Sequence, residues 1–321
     1  MLPLINKMLL RKALRQNTRA GIALAEGSFA LAIVRRDGVG KPSIDHCAVH
    51  AAASDPGPAL KTVLDKLGAL RAPACAVIGG DDYQIVQVEA PEVLPSEMRA
   101  AIRWRLRDVI NFSVDEAAVD VFEIPDPVRR TQGKMLFAVA ARETAIQRIS
   151  STLRSSAKGF DSIDIPELCL RNLSALLPQD HKGVAMLALH DRFAQLVITR
   201  QGVMYLTRRI DTGRFGDTGR FGDDGRNGTA IDAGALALEI QRSLDYYESH
   251  YDQTPVSDLV IAPADARAHR LADELKNETS LRVSALDVRD LFSVYKEGDV
   301  VTDWPTLMAL GAALRDDQVE L

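Results

Sequence analysis

The sequence predicts an α/β protein of two similar lobes, with a smaller α+β unit inserted after the strands of the first lobe. Two stretches, Arg19–Cys47 and Lys182–Asp211, open in the same way, with an apolar run, a short turn, a second apolar run and then Arg or Lys. This pattern is typical of paired antiparallel strands. Between them, prolines at positions 91 and 95 introduce a segment in which amphipathic helices flank two strands. The repetition indicates a duplicated lobe, and the prolines indicate where the insert begins.

The first lobe is predicted to contain three strands, a helix and a fourth strand. A Glu-Gly-Ser turn joins the first two strands, and apolar residues at helical spacing mark the helix. The predicted elements are strands at Ile22–Ala25, Phe29–Arg35, Ser43–His50 and Ala74–Ile78, and a helix at Pro58–Leu70.

The insert is predicted to follow the order helix, strand, strand, helix, strand. Ser96 is placed to cap the first helix, and Gly159 is placed to end the second. The predicted elements are helices at Ser96–Ile110 and Thr144–Ser156 and strands at Ala118–Ile124 and Met135–Ala141.

The second lobe is predicted to repeat the strand meander and to continue with alternating helices and strands. Asp211–Thr229 is an imperfect hexapeptide repeat rich in Gly and Asp. Its period and residue order differ from those of calcium-binding repeats, so we predict a flexible loop. The last helix is expected to return to the first lobe. The later elements are helices at Ala235–Tyr251, Ala264–Glu278 and Leu307–Leu314 and strands at Asp258–Ala262 and Arg282–Leu286.

These elements divide the chain into six predicted segments. They are a basic amphipathic leader at 1–19, the first lobe at 20–90, the α+β insert at 91–162, a helix returning to the first lobe at 163–181, the second lobe at 182–303 with its flexible loop at 211–229, and a C-terminal helix and tail at 304–321.

Composition excludes several classes of protein. The apolar fraction of 46% and the charged fraction of 26% are those of a soluble globular protein, and a net charge of -5 gives no reason to expect nucleic-acid binding. The 3 cysteines lie far apart, which argues against a disulfide framework or a structural zinc site and favours a reducing compartment. No run reaches the roughly 18 to 20 apolar residues that span a bilayer.

The leader carries basic residues and no acidic one. Leu4, Met8 and Leu14 can share one helical stripe, so an interfacial helix that contacts a membrane surface or a partner is one interpretation. A frayed segment before the first strand is the other. A secretory signal peptide is rejected, because the basic residues interrupt or follow the apolar part and no small-residue cleavage site follows.

The sequence gives no positive case for catalysis or for a metal site. His46, Cys47 and His50 are close in sequence, but on a strand the two histidines share a face while the cysteine points away. Their convergence on a metal would require a bend, so metal binding is not predicted. No Ser or Cys lies in a nucleophile elbow with a base in evident reach.

Several segments resemble the PilM family of type IV pilus assembly proteins. GIALAEGS at 21–28 is similar to a family motif close to GIDIGSSSVK, and SEMRAAIRWRLRDVINF at 96–112 is similar to ELxxAIxWExxxxIPF. The segments AARETAIQRISSTLRSSAKGFDSIDIPELCL and ALEIQRSLDYYESHY also resemble the family. The resemblance covers nearly the whole chain and favours the MshI-like members of the mannose-sensitive haemagglutinin (MSHA) pilus; FtsA and the cytoplasmic domain of GspL are more distant relatives. It implies a two-lobed actin-like fold, a duplicated ribonuclease H-like architecture with an α+β insert.

The resemblance also implies a nucleotide cleft, but the sequence departs from the family at its phosphate and adenosine positions. Phosphate binding needs close approach of backbone N–H groups, and magnesium needs carboxylate oxygens. Because alanine, histidine and proline stand where glycine or aspartate is expected, no cofactor is predicted. An alignment shifted by one or two residues would restore Asp191 to a loop position, so ATP with magnesium stays open as the alternative. The departures are at Ala23, Ala25, Ala188, His190, Ala262 and Pro263.

Arginines recur at four-residue spacing on the first insert helix, beside a tryptophan. A solvated helix face is one interpretation. The other is a surface for an acidic partner or anionic lipid, because guanidinium groups bind carboxylate and phosphate bidentately. In the PilM family the groove between first lobe and insert receives the cytoplasmic tail of a PilN-type membrane protein. The predicted partner-binding residues are Arg99, Arg103, Trp104 and Arg107.

Three functional hypotheses follow from the resemblance. The first is a non-enzymatic scaffold, cytoplasmic and peripheral to the inner membrane, that binds a PilN-like tail and helps to couple it to the assembly motor, with the pilus assembly ATPase as a further partner. The second is an ATP-binding switch that regulates pilus or type II secretion assembly through a difference in nucleotide affinity between two states. The third, a sugar-kinase-like enzyme, requires a catalytic Asp and intact phosphate loops that the sequence lacks.

Overall fold

The computed structural model describes residues 17–36, 38, 40–125, 134–211, 232–251, 253–293 and 303–316. These residues form thirteen strands and seven α-helices. The strands are β1 (Thr18–Ala25), β2 (Ser28–Arg35), β3 (Ser43–Ala51), β4 (Ala74–Val77), β5 (Tyr83–Glu89), β6 (Ala117–Glu123), β7 (Met135–Arg142), β8 (Phe160–Asp164), β9 (Val184–Leu189), β10 (Phe193–Arg200), β11 (Val203–Asp211), β12 (Asp258–Ala262) and β13 (Arg282–Ala285). The helices are α1 (Gly57–Lys66), α2 (Pro95–Leu106), α3 (Glu143–Ser156), α4 (Pro166–Ser174), α5 (Ala233–Tyr251), α6 (Ala266–Glu278) and α7 (Trp304–Ala313).

Two five-stranded sheets share one topology. The first has the strand order β3-β2-β1-β4-β8 and the second has the order β11-β10-β9-β12-β13. In each sheet the first three strands form an antiparallel meander, and the last two strands run parallel to the central one. This repetition of order and direction confirms the predicted two-lobed, duplicated fold.

The central strands of the first lobe are buried on both faces. Neighbouring residues of β1 enter different cores: Ile22 packs with Leu60 of α1 and Ile149 of α3, whereas Ala23 belongs to the core that includes Leu310 of α7. Strands covered on both faces read as continuous apolar runs. Their apolar sequences are therefore a consequence of helices on both sides of the sheet.

Glycine allows α7 to approach the first sheet closely. A Cβ built on Gly21 of β1 would lie 1.9 Å from the carbonyl oxygen of Ala309. On the other side of α7, a Cβ on Gly311 would lie 2.5 Å from the carbonyl oxygen of Cys169 on α4. The helix therefore lies in contact with backbone on two sides.

The two lobes share a continuous core through α4 and α7. Helix α7 contacts β1 to β4 of the first sheet, and α4 contacts α7 together with β9, β10 and β11 of the second sheet. The amide Nδ2 of Asn172 on α4 donates to the carbonyl oxygen of Gly311 at 2.9 Å. Asp303 and Thr306 form a capping box at the start of α7. The C-terminal helix thus lies between the lobes, against the first sheet.

The insert has different boundaries from those predicted. Its three-stranded sheet has the order β5-β7-β6 and is covered by α2, so it includes β5 from the stretch assigned to the first lobe. Conversely, β8 pairs with β4 in the first-lobe sheet, and α3 packs on α1. The prolines at 91 and 95 mark a connection inside the insert rather than its start. No local signal in a strand specifies its sheet, because the pairing of Ile85 with Val139 joins residues distant in sequence.

Two predicted segments fall largely outside the described residues. Most of the leader at 1–19 is not described, but Thr18 and Arg19 belong to β1, and Arg19 forms a 3.0 Å ion pair with Asp161. Asp211 ends β11, and the remainder of the hexapeptide repeat is not described. Within the described ranges, no helix has both the length and the apolar character needed to cross a bilayer.

Candidate functional site

A cavity of about 270 Å³ lies between the first lobe, the insert and the second lobe. The turn after β4, the start of β5 and the start of α4 form one side. The turn between β9 and β10, the strands β10 and β11, and the start of α7 form the other. We call it the cleft cavity. Its lining residues are Gly79, Gly80, Tyr83, Gln84, Ile85, Pro166, Glu167, His190, Arg192, Phe193, Gln195, Thr207, Arg209 and Trp304.

An aromatic group forms the second-lobe wall of the cleft cavity. The ring of His190 stacks on Phe193 with centroids 4.3 Å apart, and Trp304 meets both rings edge-on at 5.1 and 5.4 Å. The guanidinium carbon of Arg209 lies 3.9 Å from the centroid of Phe193. Burial lowers the pKa of His190, and the nearby Arg192 and Arg209 lower it further. Asp191 opposes this shift, but the net direction is downward and favours the neutral ring at pH 7.

A pair of polar side chains, one half-buried and one buried, forms the opposite wall. The phenol of Tyr83 on β5 donates to Oε2 of Glu167 on α4 at 2.8 Å. Burial raises the pKa of Glu167 to about 7 and raises the pKa of Tyr83 well above its ordinary value. The pair links the insert sheet to the helix that lies between the lobes.

The six positions at which phosphate- and adenosine-binding residues were expected are divided between the two lobes. Within the first sheet Ala23 pairs with Ala30 and Val77, and Ala25 is exposed at the end of β1. Ala188 and Ala262 are register partners, and both are fully buried.

The remaining two of these six positions are His190 and Pro263. His190 lines the cleft cavity, whereas Pro263 is buried after β12. His190 is thus the one residue of the six that is found among the cavity-lining residues.

Asp191, which a shifted alignment would place at a phosphate position, lies at the tip of the β9–β10 turn. Its Oδ1 is 3.2 Å from Nη1 of Arg267, and the same guanidinium bonds Asp265 at 2.7 Å. Across the described ranges, no three His, Cys, Asp or Glu side chains converge in a way that could hold a metal.

His46 and His50 approach one another on one face of β3, as expected for two residues that share a strand face. Their Nε2 atoms are 2.9 Å apart, which is a hydrogen-bond distance, and the rings stack with centroids 5.1 Å apart. Burial lowers the pKa of both, and Cys47 faces the core as predicted.

The predicted arginine stripe on α2 does not form a single surface. Arg103 is half-buried: its Nη1 donates to the carbonyl oxygen of Val114 at 2.9 Å, and its Nη2 donates to that of Ala117 at 2.8 Å. Arg99 is exposed and forms a 3.0 Å ion pair with Asp120. Arg103 therefore anchors the segment before β6, and its part in binding a partner stays a prediction.

The remaining two residues of the stripe form an exposed pair. The guanidinium carbon of Arg107 lies 4.1 Å from the centroid of the Trp104 ring, which is 68% exposed. Leu94 and Val109, at the two ends of the same helix, are also more than half exposed. Singly exposed apolar side chains are common, whereas an apolar patch marks an interaction surface. We call these four residues the insert surface.

Replacing Arg103 by alanine is expected to lower the free energy of unfolding by about 2 kcal/mol, because two carbonyl oxygens lose a charge-assisted donor. The matched change Arg107→Ala removes an exposed guanidinium and should alter stability by less than about 0.5 kcal/mol. Urea denaturation of both variants checks this. Equal stability of the two variants would contradict the structural role of Arg103.

Several residues of the cleft cavity carry no signal in the sequence that predicts a site. Tyr83, Glu167, Arg209 and Trp304 lie in four separate segments, and no motif links them. The β-branched residues in QIVQVE at 84–89 could have revealed β5, and with it Tyr83. Nothing local would have revealed that Glu167 is buried.

Comparisons with known proteins agree on the fold. No family model and no curated protein matches the chain. Among solved structures, a chain of the PilM-PilN type IV pilus biogenesis complex superposes with a TM-score of 0.61 at 17% identity, over 92% of this chain and 97% of that chain. The cytoplasmic domain of EpsL, an inner membrane component of the type II secretion system of Vibrio cholerae, gives a TM-score of 0.49 at 11% identity, over 93% of this chain and 96% of that chain. A Bacteroides thetaiotaomicron protein with an actin-like ATPase fold and unknown function gives a TM-score of 0.48 at 10% identity, over 86% of this chain and 92% of that chain. The fold of this chain is the actin-like fold.

Proposed function

We propose that this protein is a non-enzymatic scaffold of a type IV pilus assembly machine, of the MSHA-like kind, that works at the cytoplasmic face of the inner membrane. Its partner is the cytoplasmic tail of a PilN-like inner-membrane protein, which it helps to couple to the assembly motor. The observation that carries this proposal is the likeness to a chain of the PilM-PilN complex, which extends over 92% of this chain.

The side chains at the positions matched to phosphate- and adenosine-binding residues favour a protein that binds a partner over one that hydrolyses ATP. His190 stands where the resemblance expects a glycine, and its ring occupies space beside Phe193 and Trp304. Ala188 and Ala262 are buried neighbours whose methyl groups stand where aspartate and glycine are expected. The phosphates of a nucleotide need close approach of backbone N–H groups, and side chains at these positions hinder that approach.

The insert surface supplies the chemistry for a peptide partner. Trp104 offers a large exposed apolar area, and Arg107 stacked against it offers a guanidinium whose orientation the ring fixes. Tryptophan and arginine dominate the binding energy of many interfaces. A tail that places an apolar side chain next to an acidic one fits this pair.

The test is isothermal titration of the whole protein with a synthetic PilN-like tail peptide, beside a titration with magnesium-ATP. Peptide binding without ATP binding supports the scaffold. Tight magnesium-ATP binding would favour the ATP-dependent switch, and measured phosphoryl transfer to a sugar would favour the kinase-like enzyme. Absence of both binding signals would contradict the proposed function.

Replacing Trp104 by alanine is expected to weaken tail-peptide binding by about tenfold or more, because a central aromatic contact of an interface contributes about 2 kcal/mol. Leu238→Ala is the matched control, since Leu238 on α5 is 52% exposed but lies on the second lobe. Titration of both variants with the same peptide is the measurement. Equal affinities for the two variants would place the tail elsewhere.

A further inference from the structure

The β9–β10 turn consists of His190, Asp191 and Arg192, and Arg209 of β11 lines the same cavity. A turn that binds phosphate with the help of a metal would carry aspartate and glycine instead. We propose that the cleft cavity binds a compact oxyanion, a small phosphate or carboxylate, through the guanidinium groups of Arg192 and Arg209. This site is separate from the insert surface and does not depend on the function proposed for it.

Two guanidinium groups are available to such an anion. Arg192 is exposed at the cavity, and its guanidinium makes no hydrogen bond or ion pair with other residues of the described ranges. Arg209 lies 3.8 Å from a carboxylate oxygen of Asp81, whose side chain is 81% exposed. An exposed ion pair of this kind contributes little, so an anion can displace Asp81.

The acidic side chains around the cavity do not compete strongly with an anion for Arg192 and Arg209. Asp191 and Asp265 are both held by Arg267, at 3.2 and 2.7 Å. Glu167 is buried against Tyr83, and burial raises its pKa to about 7, so it carries only part of a negative charge at neutral pH. The lining therefore has an excess of positive charge.

The cavity is organised before a ligand binds. The contact of the Arg209 guanidinium with the Phe193 ring, 3.9 Å from guanidinium carbon to ring centroid, restricts this side chain and so lowers the entropy lost on binding. Beside it, Nε2 of Gln195 donates to Oγ1 of Thr207 at 2.7 Å, so these polar side chains are also held in place.

The first-lobe side leaves room for an anion. A Cβ built on Gly79 or on Gly80 would meet no atom within 4 Å, so the backbone of this turn is open to a ligand. The cavity volume of about 270 Å³ is just below the range of about 300 to 1,000 Å³ that holds drug-sized ligands. Size and openness together favour a compact ligand.

A nucleotide fits these observations less well. Of the six positions matched to phosphate- and adenosine-contacting residues, one, His190, is among the cavity-lining residues. A bound oxyanion would instead contact Gly79 and Gly80 of the first lobe and Arg192 and Arg209 of the second. Its binding would therefore stabilise one relative position of the lobes.

The test is isothermal titration of the whole protein with inorganic phosphate and, separately, with succinate. Binding of either anion is expected, and Arg209→Gln and Arg192→Gln should each weaken it by about tenfold or more, the effect of one charge-assisted pair. Arg208→Gln is the matched control, because Arg208 precedes Arg209 on β11 but pairs with Glu239 on α5 at 3.2 Å. This control should bind as the unaltered protein does.

Fluorescence locates the anion. The chain has 2 tryptophans, and Trp304 lines the cavity, so in a Trp104→Phe background the emission reports on this site. Phosphate or succinate should change the emission at the concentrations at which heat is measured, and a response to one anion alone identifies the ligand class. Arg192 is exposed, so Arg192→Gln keeps the fold intact if Arg209→Gln does not.

Three results would overturn the proposal. One is absence of binding by both anions. Another is equal weakening by Arg208→Gln and Arg209→Gln, which would indicate a general charge effect. The third is binding of magnesium-ATP with no response to either anion, which would make the cleft a nucleotide site.

Discussion

Replacement of Gly21 by alanine is expected to lower the free energy of unfolding by more than about 3 kcal/mol, at the upper end of the effects of overpacking. The added Cβ would lie 1.9 Å from the carbonyl oxygen of Ala309 and 2.5 Å from the amide nitrogen of Ala313. Both atoms belong to the backbone of α7, so no flexible side chain can move aside. The helix would have to leave the first sheet, and it is also the element that joins the two lobes.

Chemical denaturation in urea measures this loss. Gly79→Ala is the matched control, because a Cβ there meets nothing within 4 Å. We expect the control to differ from the unaltered protein by less than about 0.5 kcal/mol. A Gly21→Ala variant as stable as the Gly79→Ala variant would show that α7 does not pack against β1 as described.

Replacement of Glu167 by glutamine is expected to change how stability depends on pH. Burial raises the pKa of Glu167 from an ordinary 4.5 to about 7. The folded state therefore holds a proton that the unfolded state releases at lower pH. The contribution of this proton to the free energy of unfolding is complete below about pH 4.5 and is lost as the pH rises through about 7. Above pH 7 the buried charge destabilises the protein.

Glutamine stays neutral at every pH, and its amide oxygen can still accept the hydrogen bond from Tyr83. Relative to the unaltered protein, Glu167→Gln should gain about 2 to 3 kcal/mol of stability between pH 5 and pH 8, since one pKa unit corresponds to about 1.4 kcal/mol. Other buried acids such as Asp164 are present in both proteins, so the difference isolates Glu167.

Urea denaturation at several pH values between 5 and 8 measures this gain. Glu97→Gln is the control, because Glu97 is exposed on α2 and should show no such gain. A difference between Glu167→Gln and the unaltered protein that stays constant with pH would mean that Glu167 is ionised in the folded state.

The two-lobed fold could be predicted because its signals are local. Ile22–Ala25 and Phe29–Arg35 were predicted as paired strands, and they form the second half of β1 and nearly all of β2. The period of apolar residues and a turn of suitable composition suffice for such a pair. The helix predicted at Leu307–Leu314 is α7, for the same reason.

The partner surface could be predicted only in part. The spacing of Arg99, Arg103 and Arg107 shows that they share a side of a helix, but not what that side meets. Arg103 is turned toward the carbonyl oxygens of Val114 and Ala117, residues supplied by a later segment of the chain. Only the packing of α2 against that segment separates a structural arginine from an exposed one.

By itself, the sequence determined the repeated strand pairs, the helices and the side chains that stand where phosphate-binding residues are expected. These depend on residues within a few positions of one another. The tertiary structure decided that β5 joins the insert and β8 the first lobe, that Glu167 is buried against Tyr83, and that Arg192 and Arg209 meet at one cavity. Sheet membership, burial and a shifted pKa all arise from contacts between distant segments, and no local pattern encodes them.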